Sequence, residues 1–268
     1  MAAVAGAHAD RVLRVRDLQT VKGRKEHGRF AFEGPTLLGE ALRGGVEVEE
    51  LYVSEPVLAA NATVRELDAS GTPVFVVDER TARKISDLET PTGLVAVARQ
   101  RTAGLAEVLA GRLSLVLADL NDPGNVGTLL RAAEAFGVSG VVLGRLGVDP
   151  YHPKLVRAAM GAIFRLPVTV ASADEFAAAA SGLTVIGLAA DAPDLEEVDL
   201  GTRTALIVGH ERRGLGLWEP AGRTLAGIPM QGAVESLNAA VAGSIALYVL
   251  SRRCQESLRG VKSQDYPR

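Results

Sequence analysis

Two kinds of hydrophobic spacing alternate along the chain. In the first hundred residues, short apolar runs of strand character ("RFAFEG", "EVEELYVS", "TPVFVVDE" and "TGLVAVARQ") are separated by segments with apolar positions at helical spacing. One such segment, "PTLLGEALRGG", opens with Pro35 and closes with Gly44 and Gly45, and another, "NATVRELDAS", sets Val64 and Leu67 on one face. The pattern predicts a small α/β domain over residues 1–100. The stretch "RQRTAGLAEVLAGRLS" has little β-branched content and predicts a linker over 101–112. Beyond it, apolar strands near 114–119, 140–144, 166–170, 183–189 and 204–209 alternate with helical segments. Residues 113–268 are therefore expected to form a mainly parallel sheet covered by helices on both faces. No repeat of fixed period is evident.

Three stretches of the second domain place polar residues just after apolar strands. In "LVLADLNDPGNVGTLLRAAEAFGV" an apolar run stops at Asp119, a Pro-Gly turn follows, and Val126, Leu129, Leu130, Ala133 and Phe136 repeat at helical spacing. A strand, a turn and a helix of this kind make a ligand site, because the helix N-terminus offers unpaired N–H groups and positive dipole. Gly124 and Gly127 alone do not make a dinucleotide fingerprint, and no P-loop lysine follows. Asn121 and Asn125 are helix-capping candidates. Arg131 sits among Leu129, Leu130, Ala132 and Ala133, where an arginine is expected only on the outer face.

The second stretch, "TALIVGHERRGLG", ends a buried strand in Gly209, His210 and Glu211. It is not a zinc-binding H-E-x-x-H, since Gly214 stands at the second histidine position. Four scattered histidines and one cysteine support no metal cluster, and His210 reads as structural. In the third, "GIPMQGAVESLNAAVAGSIALYVLSRRC", Ile228, Pro229 and Met230 end a short strand. Ser236 is a reasonable N-cap for a long helix whose Leu237, Val241, Ile245 and Tyr248 or Val249 share a face, for packing on the sheet or on a partner subunit. A hydrolase built on Ser236, His210 and Glu211 is disfavoured: Ser236 lacks the G-x-S-x-G elbow, and adjacent residues of a continuing strand point to opposite sides.

Composition narrows the class. With 268 residues, 47% apolar and 4% aromatic, the chain is expected to be a soluble globular protein. Cys254 is the sole cysteine and the N-terminus has no apolar core long enough for a secretory signal, so the cytoplasm is the expected compartment. The most apolar long stretch, 176–190, is broken by Ser181 and Gly182 and is too short for a membrane span. Net charge is −3, yet residues 1–29 carry seven basic side chains (Arg11, Arg14, Arg16, Lys22, Arg24, Lys25, Arg29) against Asp10, Asp17 and Glu26. Such clustering can hold a phosphate backbone.

Together the three stretches resemble the three motifs of the SpoU (TrmH-type) branch of the SPOUT RNA methyltransferases. "DPGNVGTLLRAAEAFGV" is similar to motif one, "IVGHERRGL" to the G-x-E-x-x-G of motif two, and "IPMQGAVESLNAAVAGSIALY" to the I-P-M…S-L-N of motif three, in the same order and spacing. "RFAFEGPTLLGEAL" also resembles the N-terminal substrate-binding domain of many members. The resemblance implies methyl transfer from S-adenosylmethionine to a ribose 2'-hydroxyl of RNA, a C-terminal trefoil knot, a homodimer, and no metal. It assigns Arg131, Asn125, Glu211, Ser236 and Asn238 to catalysis, and Gly209, Ile228, Met230 and Leu237 to the donor. Arg131 is the residue the family sets beside the hydroxyl; since a guanidinium is a poor base, binding of the adjacent phosphate and stabilisation of alkoxide charge is the preferred role. Arg157, Arg24, Lys25 and Arg29 are expected to engage RNA phosphates. A separate substrate domain favours 23S ribosomal RNA over transfer RNA, whose minimal enzymes often lack one; a non-catalytic RNA-binding protein of the same fold is the other class. The chain departs from the family at "RAAMG", where Ala159 replaces a serine, and at Ala239 and Ala240 after the S-L-N, which leaves the RNA pocket open to change.

Overall fold

The structure, a computed structural model, describes residues 3–4, 9–210, 213–221, 224–232 and 236–264. The chain divides into two compact units, one running through Arg101 and including Tyr151–Arg165, the other comprising Thr102–Pro150 and the chain from Leu166.

In the first unit, β1 (Ala3–Val4), β2 (Arg29–Glu33), β3 (Val48–Val53), β4 (Val74–Val76) and β5 (Leu94–Arg99) form one sheet in the order β1-β4-β3-β5-β2. β5 lies antiparallel between β2 and β3, and β4 runs parallel to β3. The alternation in "RFAFE" has a consequence on each face. Ala31 joins a core with Val15, Leu18, Tyr52 and Val97. Phe30 and Phe32 face Tyr151 and Phe164, with ring centroids 4.4 Å apart for Phe30–Tyr151 and 5.5 Å for Phe32–Phe164. These aromatic contacts explain why 151–165, which lies between two strands of the other unit and reads from sequence as part of it, groups with the first unit. Buried Glu33 is satisfied by the Thr92 N–H at 2.6 Å, the Thr92 hydroxyl at 3.1 Å and the Ser86 hydroxyl at 2.6 Å, which pins the 86–92 loop.

In the second unit, β6 (Leu113–Leu117), β7 (Val141–Gly144), β8 (Val168–Ala171), β9 (Thr184–Leu188), β10 (Thr204–Val208) and β11 (Thr224–Ala226) form a sheet in the order β11-β9-β10-β6-β7-β8. Every pairing in it is parallel. β6 and β10 are buried at every position, as continuous apolar runs between two helical layers should be. One layer sets Val116, Ala205 and Ile207 against Phe176 and Trp218. On the other, the Ala239–Gln264 helix packs against the Pro123–Ala135 helix and onto β6 and β10. The chain steps outward from β6 through β7 to β8 and then resumes on the far side of β6, so the strand order reverses between β6 and β10. That is where an open parallel sheet forms a ligand crevice, outside the strand C-termini.

After β11, Gly227 is enclosed by the 189–195 loop. Its N–H donates to Pro193 at 2.7 Å, its carbonyl accepts from Leu195 N–H at 2.8 Å, and a Cβ placed there would stand 2.8 Å from the carbonyl oxygens of both Ala189 and Ala192. Only a glycine passes without displacing the loop. Gly227→Ala is therefore expected to destabilise the protein by about 1–3 kcal/mol through overpacking. Equilibrium urea unfolding measures this, and an unchanged midpoint would mean that the carbonyl cage opens freely.

Candidate active site at the carboxyl edge of the parallel sheet

The turn after β6 is built by Asp122 and Pro123. The Asp122 carboxylate accepts the Asn125 N–H at 2.7 Å and caps the Pro123–Ala135 helix, with Pro123 in its first turn. The cap is thus Asp122, where the sequence reading looked to Asn121 and Asn125. Relieved of capping, the Asn125 side chain accepts from Asn238 Nδ2 at 3.1 Å. On the same helix, which packs against the Ala239–Gln264 helix, Val126, Leu129, Leu130 and Ala133 are buried, while Arg131 is exposed and makes no hydrogen bond or ion pair with another described residue.

The loop after β10 is a tight hairpin. His210 and Gly214 exchange backbone hydrogen bonds of 2.9 and 2.8 Å, and a Cβ on Gly209 would stand 2.2 Å from the Gly214 carbonyl oxygen, so the loop closes only over a glycine. Glu211 lies outside the described residues. After β11, Ile228 and Met230 are half-buried, and Ser236 is exposed. The long helix begins at Ala239, and its N-cap is Asn238, whose Oδ1 accepts from Ala240 N–H at 2.9 Å and Val241 N–H at 3.2 Å. Ser236, expected to start and cap this helix, stands outside it because Asn238 takes both first-turn donors. Asn238 therefore has two tasks, holding the helix start with its oxygen and reaching Asn125 with its amide nitrogen.

These loops enclose a cavity of about 320 Å³ between the ends of β9 and β10 and the start of the long helix. Gly209, Ile228, Met230 and Leu237, the four positions expected to hold the donor, all line it, and so does Ser236. Asn125, Arg131 and Asn238 do not. Among the described residues the wall is chiefly aliphatic, with His210, Arg213, Glu219 and Ser236 as its polar side chains. His210, read from sequence as structural, thus contributes to the cavity. Arg213 and Glu219 were not singled out from sequence, since Arg213 falls on an unspecified position of the second motif and Glu219 lies beyond it. Among the described residues no group of three His, Cys, Asp or Glu is placed to hold a metal ion.

The basic residues assigned to RNA fare unequally. Arg24 is 1% exposed and donates to the Leu18 carbonyl at 2.8 Å, so it closes a helix junction and does not face a phosphate. The sequence could not separate it from Lys25, which is exposed. Arg29 is paired with Glu49, and Arg157 with Asp87. Burial pushes the Glu49 carboxyl up, but hydrogen bonds from Arg99 and Arg29 outweigh it and hold the group below the ordinary carboxylate range.

Residues 112–248 match the SpoU rRNA Methylase family, and residues 9–96 match the MRM3-like substrate binding domain. The 23S rRNA (guanosine(2553)-2'-O)-methyltransferase RlmP of Bacillus subtilis is 32% identical, over 87% of this chain and 92% of its own length. The 23S rRNA (adenosine(1067)-2'-O)-methyltransferase of Streptomyces laurentii is 29% identical, over 83% of this chain and 86% of its own. Among solved structures, an AdoMet-bound rRNA methyltransferase from Sinorhizobium meliloti is similar with a TM-score of 0.81 and 30% identity, over 94% of this chain and 97% of that one. Likeness that runs through both units and nearly the full length of such relatives has one reading: the chain belongs to the SpoU rRNA methylase family.

Proposed function

We infer that this protein transfers a methyl group from S-adenosylmethionine to a ribose 2'-hydroxyl of RNA, and that its substrate is large-subunit ribosomal RNA. The observation that carries the reading is the convergence of three loops, distant in sequence, on one sheet edge. Asn125 and Asn238 are bonded to each other there, beside a cavity that the other loop residues line. Ribosomal RNA is favoured over transfer RNA because two relatives of matching length bear 23S rRNA names and residues 9–96 match a substrate-binding domain. Such a substrate fits the cytoplasm as the working compartment; among the described residues no helix is long and apolar enough to cross a membrane.

The cavity suits the donor. Its volume of about 320 Å³ falls in the ~300–1,000 Å³ range of small-molecule sites, its wall is aliphatic enough for a flat base, and the close approach at Gly209 leaves main-chain groups within reach. Gly209, Ile228, Met230 and Leu237 would hold it. When bound, S-adenosylmethionine supplies a methyl activated by a sulfonium. The chain's own task is to position a weakly nucleophilic hydroxyl and ease the loss of its proton. Arg131, exposed and uncommitted to any described residue, binds the adjoining phosphate and offsets charge as the hydroxyl becomes an alkoxide. Asn125 and Asn238 fix the turn that carries Arg131's helix, while Ser236 at the cavity wall and Glu211 complete the polar set.

Two further features belong to this reading. The passage of Gly227 through the 189–195 loop, followed by return of the chain to the β6 side as the Ala239–Gln264 helix, supports a knotted C-terminal segment; Arg253 also reaches back to the Leu195 carbonyl at 2.9 Å. On the same helix Val241, Ile245 and Tyr248 are 49%, 38% and 48% exposed at i, i+4 and i+7, a stripe of the kind one subunit presents to another. Phe136 extends it, 5.7 Å from the Tyr248 ring.

The direct test offers labelled S-adenosylmethionine to separated ribosomal and transfer RNA from cells lacking this gene. Label is expected in ribosomal RNA. Arg131→Ala should lower transfer by about a hundred- to a thousandfold with donor affinity unchanged, and Arg131→Lys, which lacks the planar fork, by more than about tenfold. Label confined to transfer RNA would replace the substrate, and full activity of Arg131→Ala would remove the role given to the guanidinium. For the stripe, light scattering on the purified protein should give twice the chain mass of 28.0 kDa, and the Val241→Asp, Ile245→Asp pair should give a monomer. A monomeric wild type would contradict the dimer.

A further inference from the structure

Asp119 stands immediately beyond the central strand β6 with φ +52, the left-handed conformation that residues other than glycine seldom adopt and that aspartate, like asparagine, tolerates better than most. Its two carboxylate oxygens serve two different loops. Oδ1 accepts the Leu146 N–H at 3.0 Å, from the segment that follows β7. Oδ2 accepts the Trp218 indole N–H at 2.9 Å, from the short 3-10 turn Gly216–Ala221. Trp218 is 1% exposed and packs on Phe176 with ring centroids 5.8 Å apart. A buried indole nitrogen can only donate, so it needs a fixed acceptor, and a carboxylate is the strongest that a protein side chain supplies. Leu215 and Glu219, on either side of Trp218, are wall residues of the cavity, and the turn continues directly from the Gly209–Gly214 hairpin that closes it.

We propose that Asp119 is a positioning residue for the donor: through Trp218 it holds the 213–221 segment where that segment forms the cavity wall. The proposal rests on the reading of the cavity as the donor site. Neither side chain lines the cavity, so neither touches the ligand. The left-handed backbone at Asp119 fits this role, since a residue is kept in a sparsely populated conformation when its surroundings fix it there. The carboxylate links the loop after β6, the loop after β7 and the loop after β10 at one point.

The test uses the full chain and S-adenosylhomocysteine, titrated calorimetrically. Asp119→Asn tolerates the backbone conformation and leaves one acceptor oxygen for two donors. Trp218→Phe keeps a ring against Phe176 and removes the N–H. Each should weaken binding by roughly fivefold or more, a typical size for coupling between a site and a group outside it. The double variant should be no weaker than the worse single, because both remove the same bond. Trp218 is the sole tryptophan, so in Asp119→Asn its emission should shift to the red and report release of the loop. Affinities equal to wild type in both single variants, even with a lowered melting temperature, would overturn the role and leave a merely structural bond, as would losses that add in the double variant. Absence of S-adenosylhomocysteine binding to the wild-type protein would overturn the donor reading itself, and this role with it.

Discussion

The parallel pairing of Leu113–Leu117 with Thr204–Val208 is the constraint on which the rest of the second unit depends. It sets Leu117 level with Val208, and one further bond, from Ala118 N–H to the Val208 carbonyl at 2.9 Å, carries the pairing to the lip of the sheet. Two loops 91 residues apart in sequence, after Leu117 and Val208, then leave the sheet side by side. Because both strands are apolar at nearly every position, the pair is stable only with both faces covered, and the covering helices start or end at that lip. The Pro123–Ala135 helix starts there under an aspartate cap, and the Ala239–Gln264 helix starts there under an asparagine cap. A polar site at this edge is thus the necessary outcome of where helix ends and strand ends meet.

Polar groups at the edge are each committed before any ligand arrives, and the commitments divide the labour. Asp122 and Asn238 satisfy helix N-termini, Asp119 satisfies Trp218 and Leu146, and Asn125 meets Asn238. What is left over is informative: Arg131 is exposed and bonded to no other described residue, and the cavity at the ends of β9 and β10 has a chiefly aliphatic wall.

Much of this was legible in the sequence. The alternation of apolar runs with helical spacing sufficed for β2 to β10, since continuous burial leaves a strong signal, but not for the two-residue β1, and β11 ends at Ala226, before the Ile228–Met230 stretch expected to end it. The cavity-lining Gly209, Ile228, Met230 and Leu237 could be named because they lie in loops tied to a motif. Three things went unread, each for a physical reason. The grouping of 151–165 with the first unit depends on Phe30 and Phe32 meeting Tyr151 and Phe164, a long-range contact that no local pattern encodes. Arg24 is buried while Lys25 beside it is exposed, because helix Val21–His27 turns one toward Leu18 and the other to solvent; charge counting treats them alike. The caps fell on Asp122 and Asn238, not on Asn121, Asn125 or Ser236. For Asp122 a signal was present: an aspartate directly before a proline is the stronger helix start. For Asn238 none was, since Ser236 and Asn238 are equally good caps in sequence.

If this edge delivers a methyl group to a ribose oxygen, mass spectrometry of nucleosides from complete digests of 23S ribosomal RNA, taken from cells with and without the gene, will detect it. One 2'-O-methylated nucleoside is expected to rise in cells that carry the gene. A methyl found on a base, or identical nucleoside profiles in the two strains, would contradict it.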